Sequence, residues 1–191
     1  MAKKTLKKKD PWKLKKWYSV YAPKIFGNQK IADIPATEPE QLIGRVIETT
    51  LRDLTGDFTK THVKLFFKIT DVQGESAYTE LKKQELLRSY MRSQVRRNTT
   101  KVDRIMDVKT KDGRKARVQV TAITAKRVQQ SREKEIRNIL GNVIKQEASN
   151  KDIEQFVLEL VLGKIASAAY REAKKIYPLK RVEISKTKIF A

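Results

Sequence analysis

Cysteine is absent from the sequence and histidine occurs once, at His62. The first absence removes disulfides, thiolate nucleophiles and cysteine-ligated zinc, and it fits a reducing compartment. With one imidazole, a Ser-His-Asp or Cys-His site has a single candidate base. His62 sits beside Val63 in an expected strand, with no G-x-S-x-G turn in the chain, and reads as a strand-face histidine. The seven glycines form neither G-x-x-x-x-G-K-[ST] nor G-x-G-x-x-G, so nucleotide hydrolysis has no phosphate loop to use. There is no run of 18 apolar residues and no basic amphipathic helix with an aromatic face, so no membrane partner is expected. The lysine-rich start has no apolar h-region and lacks the Arg and Ser bias of a transit peptide, which points to a cytoplasmic protein.

What is abundant is positive charge. The chain of 191 residues carries 43 Lys and Arg against 22 Asp and Glu, a net charge of +21. A surface of that sign attracts polyanions over long range, and nucleic acid is the first candidate partner. Apolar residues make up 39% of the chain and recur periodically, enough for one main domain with a core. Asp103 and Asp107 share one face of an expected strand and are the carboxylates a metal-dependent nuclease would need. Four residues along a strand span about 13 Å, too far for that pair alone to hold two metals about 4 Å apart. Salt bridges to surrounding Lys and Arg are the simpler role, and no metal, cofactor or small-molecule substrate is expected.

Residues 1–30 read as a basic, partly extended arm ahead of a single α+β core domain over residues 31–191. Eight lysines stand against one aspartate in the first 16 residues, so like-charge repulsion should keep that part unfolded on its own. Trp12, Trp17, Tyr18, Tyr21 and Phe26 are interleaved there. Packing against their own domain is the favoured role for these rings and base stacking the alternative.

From Leu42 to Ala125 the chain is mainly β. Val63, Leu65, Phe67 and Ile69 alternate with polar residues, as do Val102, Met106 and Val108, and then Ala116, Val118, Val120 and Ala122, the period of strands packed on one face. The stretch Arg45 to Leu51 is apolar on both parities, which predicts burial on two sides or closure into a barrel. Asp112-Gly113 between two such runs is a hairpin signal. The expected core is therefore an antiparallel, barrel-like sheet with flanking helices. The last third, residues 131–177, is helical, with Ser131 and Asn150 as caps and Gly163 and Pro178 as breaks. A final strand over 181–190 alternates Val182 and Ile184 with polar neighbours.

One helix is expected inside the β region, from about Lys83 to Arg97. Leu87, Met91 and Val95 recur at i, i+4 and i+8 as a packing stripe, beside a cationic stripe of Arg88, Arg92 and Arg96. Acidic residues near this run are too few to neutralise it, which favours a phosphate clamp over an ordinary solvated edge. The candidate RNA contacts are thus Lys3, Lys4, Lys7, Lys8 and Lys9, then Lys13, Lys15 and Lys16, in the arm. Arg88, Arg92, Arg96 and Arg97 follow in the helical run. Arg114 and Lys115 stand at the hairpin turn, and Lys126 and Arg127 follow the last strand of the β region.

The stretch Leu42-Ile43-Gly44-Arg45-Val46-Ile47-Glu48, continuing through Leu51 to Asp53-Leu54, resembles the signature of a small-subunit ribosomal protein family of archaea and eukaryotes, S3a or S3Ae. The resemblance extends to Trp17-Tyr18, Ala22-Pro23 and Phe26, to Asp71-Val72-Gln73-Gly74, to Asp107-Val108-Lys109-Thr110 with Asp112-Gly113, and to Ile176-Tyr177-Pro178-Leu179. Thr50 departs from it, standing where the family usually has Ser or Cys. The chain ends at Ala191, where eukaryotic members carry a longer tail, so the archaeal branch is expected. The resemblance implies a β-barrel core with helices and a place on the platform of the 30S subunit near the mRNA exit. The implied partners are ribosomal RNA and neighbouring small-subunit proteins, with contact to mRNA left open. It brings no catalytic residues and no motif that assigns RNA contacts. Whether Gly44, Arg45, Glu48 and Asp53 serve fold or contact stays open at this level, a cross-strand ion pair for Arg45 or Glu48 being as plausible as RNA. The same composition would also suit an independent nucleic-acid chaperone or a chromatin protein.

Overall fold

A computed structural model describes residues 11–190; the expectations for Lys3, Lys4, Lys7, Lys8 and Lys9 lie outside the described residues. In chain order the elements are β1 (Lys16–Tyr21), β2 (Lys30–Ala36), β3 (Val46–Thr50), α1 (Leu51–Thr55), β4 (Val63–Gln73), β5 (Ser76–Leu86) and α2 (Arg88–Gln94). They continue with β6 (Lys101–Lys109), β7 (Lys115–Thr124), α3 (Gln130–Asn150), α4 (Ile153–Leu162), α5 (Lys164–Lys174) and β8 (Leu179–Ile189). The chain is of mixed α and β structure, as expected.

The expected barrel closure is not found. Strand pairing follows an open path β2-β1-β5-β8-β7-β6, with β3 joined to β4 and β4 to β5. A closed barrel needs its terminal strands to pair with each other. Here the free side of β6 is covered by a helix instead: Arg137 on α3 donates from Nε to the Asp103 carbonyl at 3.1 Å. Nor is the sheet wholly antiparallel, since β1 runs parallel to β5.

The described residues form two compact units. The first comprises residues 11–47 and 67–80. Its β1 pairs antiparallel with β2 from Lys16↔Ala36 to Tyr21↔Lys30 and parallel with the start of β5. Tyr18 and Val20 turn inward onto Ala36, Leu42, Ile69 and Ala77. The expected packing of the aromatics holds for some and fails for others. Tyr18 is buried and Phe26 meets Phe67 edge-on at 5.6 Å, but Trp17 is 59% exposed, because strand parity sends it to the opposite face from Tyr18.

The second unit comprises residues 48–66 and 81–190. The hairpin β6–β7 pairs from Lys101↔Ile123 to Lys109↔Lys115, and Gly113 in its turn has φ +76°, a value that an L side chain resists. The alternating residues Val102, Met106 and Val108 and Ala116, Val118, Val120 and Ala122 are all buried. Beside β7 lies β8, which also pairs with the end of β5 at Lys83↔Lys188. On α3, Ile136, Leu140, Ile144 and Ala148 recur every fourth residue and are fully buried, and the helix packs on β6 and α5. The helix ends differ from expectation. Ser131 lies inside α3, whose cap position is Gln129, and Asn150 ends that helix; the first N–H of α4, at Ile153, donates to Asp112 Oδ2 at 3.0 Å.

Two local readings are corrected. The chain from Arg45 to Leu51 is strand only over β3, because α1 starts at Leu51. The expected helix over Lys83 to Arg97 shrinks to α2, since strand pairing with β8 holds Lys83, Gln84 and Glu85 extended. Leu87 and Met91 are only half buried and Val95 is exposed, so no apolar stripe is buried there. Arg96 lies beyond the helix, in a turn closed by Thr99, and does not share an edge with Arg88 and Arg92.

Candidate nucleic-acid interface

The segment between α2 and β6 and the segment between β7 and α3 meet at one end of the β6–β7 hairpin. Thr124, which is buried, and Thr100, which is half-buried, hold them together. The Thr100 N–H donates to Thr124 Oγ1 at 2.9 Å, the Val128 N–H donates to Thr100 Oγ1 at 3.1 Å, and the Thr124 hydroxyl lies 2.6 Å from the Lys126 carbonyl. Thr124 is fully buried, so these bonds carry the cost of leaving a polar group unpaired if broken. Thr99 closes the other turn, its hydroxyl bonding the Arg96 carbonyl at 2.6 Å and accepting from the Arg96 N–H at 3.1 Å.

Between the two segments is a recess of about 530 Å³. Arg96, Arg97, Lys101 and Arg127 line it, with Glu133 the one acid among the lining residues. Lys101 also lines an adjoining recess of about 360 Å³ with Arg92, and it pairs with Asp103 at 2.7 Å. Guanidinium groups on turns closed by side-chain hydrogen bonds form a set of donors for phosphate oxygens.

The structure thus gathers Arg96, Arg97 and Arg127 from the sequence-derived candidates. Lys126 adjoins them and contributes its carbonyl to the Thr124 bond. Arg88 is the exposed first residue of α2, one helical turn before Arg92. Arg114 and Lys115 are exposed at the opposite end of the hairpin, and a strand of nine residues such as β6 spans about 27 Å, so they form a second place rather than the same one. Lys13, Lys15 and Lys16 are exposed in the first unit. Sequence reasoning missed Lys101. The signal available was its position as the first residue of β6, directly after the arginine turn.

Other charged groups are absorbed by the fold. Asp107 accepts two bonds from Arg117, at 2.6 and 2.8 Å, which hold its carboxyl below the ordinary range. Asp103 accepts from Thr121 Oγ1 at 2.6 Å besides pairing with Lys101. Among the described residues no group of three or more His, Asp or Glu could hold a metal ion. His62 lies in the turn before β4 rather than on a strand face, stacked on Tyr90 with ring centroids 3.9 Å apart. Burial lowers its pKa, opposed by nearby Glu183. No helix among the described residues is long and apolar enough to cross a membrane.

Comparison with known proteins decides what this basic architecture belongs to. The profile of the ribosomal S3Ae family matches residues 3–191. The chain belongs to the ribosomal S3Ae family. It is a family of ribosomal proteins rather than of enzymes. The small ribosomal subunit protein eS1 of Desulfurococcus amylolyticus is 48% identical over 181 residues, covering 95% of this chain and 85% of that protein. The eS1 proteins of Sulfurisphaera tokodaii and Staphylothermus marinus are 44% and 43% identical over 95% of this chain, covering 94% and 85% of their own lengths.

The S3Ae signature residues are explained largely by the fold. The Gly44 N–H donates to the Ile69 carbonyl at 2.9 Å, and the Ile69 N–H donates back to the Arg45 carbonyl at 2.9 Å. Glu48 pairs with Lys64 of β4. Thr50 caps α1: its hydroxyl accepts from the Asp53 N–H, and the Asp53 carboxylate accepts from the Thr50 N–H at 3.1 Å, a reciprocal capping box. A small hydroxyl at position 50 thus has a structural task.

Proposed function

We propose that this chain is a structural constituent of the small ribosomal subunit of an archaeon, binding ribosomal RNA through phosphate contacts on the platform near the mRNA exit. The observation that carries the reading is the recess of Arg96, Arg97, Lys101 and Arg127, set in a chain of the S3Ae family. Four cations around one concavity, carried on hydrogen-bonded turns, match a folded RNA backbone better than a flexible tail would, because less ordering is left to binding. Arg114 and Lys115 at the far end of the hairpin and the exposed lysines Lys13, Lys15 and Lys16 offer further places for phosphates, as do Arg88 and Arg92. Neighbouring small-subunit proteins complete the partners, and the protein works in the cytoplasm.

Replacing Arg96, Arg97 and Arg127 together by glutamine tests this. Affinity for structured ribosomal RNA is expected to fall, and the salt dependence of binding to become shallower by about 0.9 for each phosphate no longer neutralised, by analogy with duplex DNA. The melting temperature should hold, since all three side chains are exposed. An unchanged salt slope would remove the recess from the RNA interface. An independent chaperone or chromatin protein would not co-sediment with small subunits at high salt, whereas a constituent should.

A further inference from the structure

One face of the β1–β5 pair in the first unit carries aromatic rings that its core does not absorb. The parallel register sets Ser19 opposite Ser76 and Tyr21 opposite Tyr78, while Val20 and Ala77 between them point to the buried side. Trp17 stands two residues before Ser19 and therefore on the same face. It is 59% exposed and Tyr78 is 41% exposed. The rings of Tyr21 and Tyr78 stack, with centroids 6.2 Å apart and planes at 30°.

The charges around this face have one dominant sign at its entrance. Lys13, Lys15 and Lys16 are exposed and lead directly into Trp17, with Lys15 Nζ 4.4 Å from the Trp12 ring centroid. Across β1, Trp17 and Ser19 face Pro35 and Asp33 of β2. Asp33 is already engaged, by Ser19 Oγ at 2.9 Å and Lys30 Nζ at 2.7 Å. Glu80, two residues beyond Tyr78, is an exposed acid at the end of the face away from the lysines.

Flat exposed rings beside lysines fit a ligand with flat faces and an anionic backbone. A duplex hides its base faces in its own stack, whereas an unpaired strand offers them. A protein partner fits less well, because lysine is depleted in protein interfaces and the residues between the rings are serines rather than aliphatics. We propose that this face binds an unpaired RNA strand, with Trp17 and the Tyr21–Tyr78 pair stacking bases and Lys13, Lys15 and Lys16 meeting phosphates. It is separate in chemistry from the arginine recess, which reads phosphates alone, and it stands or falls independently of it.

Trp12 and Trp17 are the two tryptophans of the chain, so intrinsic emission reports directly on stacking. The full chain is titrated at high salt with a single-stranded RNA of about ten nucleotides and with the same sequence as a blunt duplex. The single strand should quench the emission and the duplex should not. Trp17→Ala and Tyr78→Ala should each weaken single-strand binding about tenfold, a usual effect of removing the platform under one stacked base, with duplex binding and its salt slope unchanged. Trp17→Phe retains a ring and should keep most of the affinity, which separates stacking from any loss of folding. Single-strand affinity of Trp17→Ala equal to the parent's, or equal quenching by the duplex, would overturn the proposal. If Trp17→Ala with parental RNA affinity failed to co-sediment with small subunits, the face would be assigned to a protein neighbour instead.

Discussion

Thr50 and Asp53 show how a short sequence signature acquires a physical meaning at the level of single residues. The Asp53 carboxylate accepts from the Thr50 hydroxyl at 2.7 Å and from its N–H, and these bonds hold its pKa below the usual carboxylate value. A group whose pKa is depressed on folding contributes stability above its unfolded pKa, about 4, and that contribution disappears as the pH falls through the lower folded value. Asp53→Asn should therefore melt slightly lower than the parent at neutral pH and lose less stability on acidification below about pH 4. Thermal melts across that range check it. Parallel decline of the two proteins would mean that the capping box does not sense acid. At the same scale, His62 shows why a lone histidine carries little weight in a sequence. Its ring is stacked on Tyr90 and half buried, a packing role that no neighbouring residue in the chain announces.

Between elements, the informative contacts join segments far apart in the chain. Asp112 does double duty: it sits in the hairpin turn with Gly113, and its carboxylate caps α4 by accepting the Ile153 N–H. Asp152, the cap residue by position, makes no such bond. Capping from another element ties the turn to the helix, and Asp112→Ala should cost about 1 kcal/mol in a denaturant melt, the usual value of a removed cap. Asp112→Asn keeps an acceptor and should retain most of that stability. Equal losses in the two variants would show that the charge, acting on the helix dipole, matters more than the hydrogen bond. The α4–α5 corner follows a local rule instead. Gly163 has φ +83°, and its N–H donates to the Leu160 carbonyl at 3.2 Å. The missing side chain lets the chain reverse there without strain.

Over the whole molecule the net charge of +21 favours a polyanionic partner, and the number of phosphates neutralised would set how such binding responds to salt. Residues 1–10 contribute five lysines and one aspartate, with Leu6 and Met1 as their large apolar side chains. Removing them should leave the melting temperature near the parent's, because so little apolar surface is at stake. RNA affinity should fall, with a salt slope shallower by about 0.9 for every phosphate those lysines neutralised. A large drop in melting temperature would show that this segment supports the fold, and an unchanged slope would show that it meets no phosphates.

The sequence by itself determined the features that depend on neighbours in the chain. The period-2 runs of β4, β6 and β7 are buried as their alternation requires, Asp112-Gly113 turns a hairpin, and the helical last third forms α3, α4 and α5, with the break at Gly163. Its charge pointed to a polyanion and its motifs to the S3Ae family. Tertiary structure decided whatever depends on pairing between distant segments. The end of β5 reads locally as helix, yet Lys83 to Glu85 are held extended because β8 supplies backbone partners there, while at the other end α2 stops at Gln94 and a turn closed by Thr99 takes Arg96 off the expected helical edge. The open sheet, the parallel β1–β5 pair that leaves Trp17 and Tyr78 on one exposed face, and the meeting of Arg96 and Arg97 with Arg127 were likewise invisible in the one-dimensional pattern. Local periodicity encodes which face of an element is apolar. It does not encode which remote strand or turn will satisfy the hydrogen bonds along that element's edges and ends.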